Sequence, residues 1–70
     1  MHFYIQKAQI FSKRDEHQKA IQVLELALDV TDEAAEIYSM IGMEYLFLED
    51  FENAKINFMN CLEADEEDYS

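Results

Sequence analysis

The sequence predicts an all-α fold of two stacked antiparallel helix-turn-helix hairpins. Three observations carry that reading. One apolar pattern occurs twice, 34 residues apart: Tyr4 recurs as Tyr38, Ala20 as Ala54 and Leu28 as Leu62. Close substitutes fill the remaining places, Ala8 with Gly42, Phe11 with Tyr45, Leu24 with Phe58 and Ala27 with Cys61. The chain has no Pro and only one Gly, which suits helices joined by short turns, and no segment alternates with the period of two that a strand requires. A fixed period of this length marks helical hairpins that cannot bury their apolar faces singly and must stack.

The elements follow in order. A first helix is expected from His2 to about Lys13, with Tyr4, Ala8 and Phe11 at helical spacing, then a turn over residues 14–16. A second runs from His17 to about Val30, presenting Ala20, Ile21, Val23, Leu24, Ala27 and Leu28 to the core or to seams. Thr31 or Asp32 is expected to cap the third helix, Ala34 to Leu48, with Glu36 in a first turn where the helix dipole favours negative charge. Asp50 is the expected cap of a fourth helix ending near Ala64, and residues 65–70 form an acidic end expected to fray. Turns this short make neighbouring helices antiparallel. Ala8 and Gly42 sit mid-helix, where Ala20 and Ala54 of the partner helix approach; that closeness is a physical reason to accept a glycine costing about 1 kcal/mol of helix propensity.

Seventy residues make a single domain, read as repeat one over residues 1–34, repeat two over residues 35–68 and the acidic end. The net charge of −11 is unevenly spread. Residues 1–34 hold four basic and six acidic groups, whereas residues 35–70 hold Lys55 against ten acidic groups. Such a chain lacks the basic footprint that nucleic acid demands, and anionic membranes repel it for the same reason; a basic protein or peptide is the partner its field would steer. Met1 to Ile10 lacks the basic start and apolar run of a signal peptide, and the most apolar stretch, residues 37–48, is too short to span a bilayer and carries Glu44. The lone Cys61 favours a reducing compartment, so a cytoplasmic location is expected.

The residues Tyr38, Ile41, Gly42, Tyr45, Ala54, Phe58, Cys61 and Leu62, matched in register by Tyr4, Ala8, Phe11, Ala20, Leu24, Ala27 and Leu28, resemble the tetratricopeptide repeat family over nearly the whole chain. The chain departs from the family pattern at Lys7, where an aliphatic residue is usual and which suggests an outer, solvated end. Asp15 and Glu49 stand in turns that often hold Gly, and Glu66 takes the place of a frequent Pro, so the last helix is free to continue or fray. The resemblance implies a right-handed α-solenoid whose first helices line a concave groove, here through Ile5, Gln9, Met40, Met43 and Phe47, with a noncatalytic role in gripping a peptide or helix of another protein. One branch of the family clamps terminal carboxylates with Lys and Asn at the places held here by Ile5, Gln9 and Met40, so that clamp is not expected. Met40, Met43 and Phe47 share one helix face, and flexible, polarisable methionine suits adaptable surfaces.

Repeat stacks usually need about three units and a polar outer cap. Two repeats leave Phe51, Ile56, Phe58, Met59 and Leu62 of the last helix as an apolar assembly surface. It calls for neighbouring repeats of a longer chain or for other copies in a homo-oligomer, and a purely structural role is the alternative to groove binding. No catalytic residue, cofactor or metal is expected. His17 occupies the place of Phe51 and Cys61 that of Ala27, both packing positions, and no two His or Cys residues share metal-ligand spacing. The acidic end lacks the spacing and central Gly of a calcium loop.

Overall fold

The computed structural model describes the backbone of residues 2–68 and the side chains of residues 3–65. Four helices follow in order: α1 (His2–Lys13), α2 (His17–Leu28), α3 (Ala34–Phe47) and α4 (Phe51–Asp68). Each packs on its chain neighbour, α1 on α2, α2 on α3 and α3 on α4, giving two hairpins laid side by side in a slab of 38 × 27 × 14 Å.

The core lies where small residues let helices close up. Ala8 of α1 and Ala20 and Ala27 of α2 are buried at the first hairpin's seam, and Leu24, Ile37 and Ile41 fill the joint between the hairpins. Helix α3 has a helix on either side and is apolar almost all round, with Ile37 and Ile41 buried while Met43, Leu46 and Phe47 stay exposed. Ala54 is buried in the second hairpin. The ring of Phe58 lies directly beside Gly42, so a Cβ there would meet ring carbons at 2.8–3.0 Å.

The two intra-hairpin turns share one device. Helix α1 closes with Glu16 N–H donating to the Phe11 carbonyl at 2.9 Å, and α3 with Asp50 N–H donating to the Tyr45 carbonyl at 2.9 Å. The residue before each donor takes a left-handed backbone, Asp15 at φ 62° and Glu49 at φ 59°. This is the helix stop that glycine normally makes, here built from two acidic residues.

The caps and ends differ from the sequence reading in three places. Helix α2 stops at Leu28 and Asp29 is its C-cap, two residues short of Val30. The cap of α3 is Glu33, with no side-chain hydrogen bond; Thr31 Oγ1 instead accepts from Glu33 N–H at 2.9 Å, holding the linker rather than the helix end. Helix α4 runs four residues past Ala64, since neither Gly nor Pro stops it. Asp50 does cap α4, its Oδ1 accepting from Asn53 N–H at 3.3 Å and its Oδ2 from the Asn53 amide at 2.8 Å. Of the acidic end at residues 65–70, only the backbone to Asp68 and the side chain of Asp65 fall among the described residues.

Candidate functional site: a cleft spanning the two hairpins

A cleft of about 400 Å3 opens between α1 and α3. Ala8, Gln9, Ser12 and Lys13 form one wall, Met40 and Glu44 the other, and Leu24 of α2 the third side. Its composition follows from helical geometry: residues 8, 9, 12 and 13 lie on adjacent stripes of α1, and residues 40 and 44 are one turn apart on α3. The apolar surface of Ala8, Leu24 and Met40 is thus edged by an amide, a hydroxyl, an ammonium and a carboxylate. Such a mixture can bury an apolar side chain while bonding to the polar groups beside it.

Of the five expected groove residues, Gln9 and Met40 line this cleft. Ile5 is half-buried and packs against the core cluster together with Met40. Met43 and Phe47 are exposed on α3, outside the lining. One ring face of Phe47 is already used: it stacks on His17 with centroids 4.9 Å apart and planes 11° from parallel.

Beside the cleft sits a polar cluster that the repeat pattern does not contain. Glu44 is buried, its side chain only 11% exposed. It accepts from the Ser12 hydroxyl at 3.0 Å through Oε2, and its Oε1 lies 2.8 Å from His17 Nδ1. Three elements meet there: the last turn of α1, the first residue of α2 and the last turn of α3. A buried carboxylate without partners would be expensive, so Ser12 and His17 are what allow an acidic residue at this depth. Asp15 stands 3.8 Å from the other ring nitrogen of His17 and is almost fully solvated. The cluster fastens one hairpin to the other, and its signal in the sequence is a matched pair of departures from the period. Glu44 stands where repeat one has Ile10, and His17 where repeat two has Phe51.

The expected assembly residues divide by burial. Phe51, Ile56, Met59 and Leu62 are all exposed, whereas Phe58 is half-buried with its ring beside Gly42. Phe51, Phe58 and Leu62 lie on one stripe of α4, with Met59 flanking it and Ile56 farther round the helix. Cys61 is half-buried, more open than its counterpart Ala27: α3 covers α2, and among the described residues no element covers the corresponding face of α4. Among the described residues no three His, Cys, Asp or Glu side chains are grouped to hold a metal ion, and no helix is long and apolar enough to cross a membrane.

The family model for the tetratricopeptide repeat matches the chain twice, over residues 2–33 and 35–68. Neither the curated proteins nor the solved structures yield a match.

Proposed function

The chain belongs to the tetratricopeptide repeat family, a family of protein-interaction modules that are typically noncatalytic, and from that premise we propose that it holds a peptide or helix of another protein in the cleft between α1 and α3. The observation that carries the reading is the cleft itself, bounded by the first helix of each hairpin, with Ala8, Leu24 and Met40 as apolar surface and Gln9 and Ser12 at its edge. An apolar side chain of the guest enters beside Met40, and the Gln9 amide bonds to the guest's main chain. Ile5 supports this wall from within, while Met43 and Phe47 extend the apolar contact along α3. A net charge of −11 favours a basic guest and speeds its approach.

Panning the folded chain against a displayed peptide library tests the reading. Enriched peptides should combine basic and apolar residues. In fluorescence anisotropy with a hit peptide, Met40→Asp and Met43→Asp should each weaken binding at least about tenfold, as truncation of an interface anchor does. Circular dichroism should show both variants folded. An empty screen, or hits indifferent to both substitutions, counts against the groove and favours a structural role in a longer array.

A further inference from the structure

The joint between the two hairpins is a template for what the ends of the stack can bind. Within the chain, α3 docks on α1 and α2 through Ile37, Ile41 and Glu44, which are 0%, 1% and 8% exposed. The residues 34 positions earlier, Phe3, Lys7 and Ile10, make the same face on α1 and are all exposed. On the receiving side the joint uses Ser12, His17 and Ile21. Their counterparts Leu46, Phe51 and Lys55 are exposed at the far end of the molecule. One end therefore carries the plug and the other the socket of a joint that already exists once in the molecule.

The chemistry of plug and socket changes together. Internally, Ser12 and His17 hold a carboxylate, Glu44. At the ends, Leu46 and Phe51 stand for Ser12 and His17, and Ile10 stands for Glu44. Three polar partners become three apolar ones, so the end joint is complementary to itself and mismatched with the internal one. Likewise Phe47, which stacks on His17, is replaced by Lys13 opposite Phe51, a cation over an aromatic face. Long-range charge points the same way: residues 1–34 carry four of the five basic groups, and residues 35–70 carry ten of the sixteen acidic ones. Head-to-tail contact is thereby favoured over tail-to-tail.

We infer that copies of this chain join head to tail, with Ile10 of one copy seated between Leu46 and Phe51 of the next. Because the contact is heterologous, each added copy presents a fresh socket, and association is open-ended. Lys7 and Lys55 moderate it. They replace Ile41 and Ile21 of the internal joint and bring two cations near one another within the apolar ring. This inference does not depend on the cleft proposal: Ile10, Leu46 and Phe51, which make the contact, lie outside the cleft lining, although Lys13 borders both.

Sedimentation velocity on the full chain across a wide concentration series should show mass growing without a fixed end-point. Ile10→Asp removes the plug and Phe51→Asp the socket, both at exposed positions, so each variant should stay folded by circular dichroism and remain monomeric alone. Mixed together, they retain one good plug and one good socket, and should form a 1:1 dimer and nothing larger. Lys55→Glu, which sets a carboxylate near Lys7 of the next copy, should tighten the wild-type joint about fivefold, the worth of a good exposed ion pair. Wild-type chain that stays monomeric throughout, variants that still assemble alone, or a mixture that fails to pair would each overturn the inference.

Discussion

The imidazole of His17 lies flat on the ring of Phe47 while its Nδ1 reaches Glu44 at 2.8 Å, so one side chain is both stacked and hydrogen-bonded across the joint between the hairpins. Removing Glu44 breaks the polar part of this contact and strands the groups that served it. Glu44→Ala should cost about 1–3 kcal/mol, the usual penalty for orphaning half-buried hydrogen-bonding partners. The loss should be strongly non-additive with Ser12→Ala, because both changes remove the same bond. Urea denaturation of the two single variants and the double variant measures the coupling, and additive losses would show that the cluster is not a unit.

The left-handed turn residues offer an opposite effect. Glu49 adopts φ 59° with no side-chain compensation, a conformation that costs an L-residue about 1–2 kcal/mol. Glu49→Gly relieves that cost but adds freedom to the unfolded chain, so a net gain of about 0.5–1 kcal/mol is expected. Asp15→Gly should gain less, since Asp tolerates this region better than Glu. Thermal melts of the two variants should rank them in that order.

Gly42 tests packing against propensity. Alanine would favour the helix by about 1 kcal/mol, yet its methyl would press on the Phe58 ring at 2.8 Å. Gly42→Ala should therefore destabilise the wild-type chain by about 1 kcal/mol, in the range of small overpacking costs. In a Phe58→Ala background the obstacle is gone, and the same substitution should become stabilising. A change that keeps its sign in both backgrounds would contradict the contact.

Tyr45 predicts an alkaline limit. Burial, then the charges of Glu25 and Asp50, raise its phenol above the usual 10.0. The folded chain thus holds this proton more tightly than the unfolded chain does. Its contribution is intact below pH 10 and is lost as pH rises through the higher, folded value. Denaturant midpoints measured on either side of pH 10 should fall with pH, and Tyr45→Phe should flatten the decline.

Much of the fold was legible because the period is a packing rule. Tyr4 with Tyr38 and Ala20 with Ala54 announce hairpins, and helix α1 and the first turn fall where spacing puts them. Helix ends were less legible. Thr31 has the chemistry of a cap but spends its oxygen on Glu33 N–H within the linker, and α4 runs on past Ala64 to the last described residue, Asp68. The groove was legible as a face and less so as a cleft. Met40, Met43 and Phe47 share a stripe, but which of them borders the opening depends on how far α1 stands from α3 and on the attachment of Phe47 to His17. The Ser12–His17–Glu44 cluster lay hidden because its members belong to different repeats and have no polar equivalents 34 residues away; periodicity reveals what repeats and is blind to a lock made once.

The cleft has walls from both hairpins, and Leu24, Ile37 and Ile41 give those hairpins a common interior. A guest lodged there braces the entire molecule rather than one limb of it. Its affinity should consequently appear undiminished in the melting temperature, since anything bound only by the native state raises unfolding free energy by mass action. A dye-based thermal-shift screen thus becomes a direct reader of occupancy, usable before any partner has been identified.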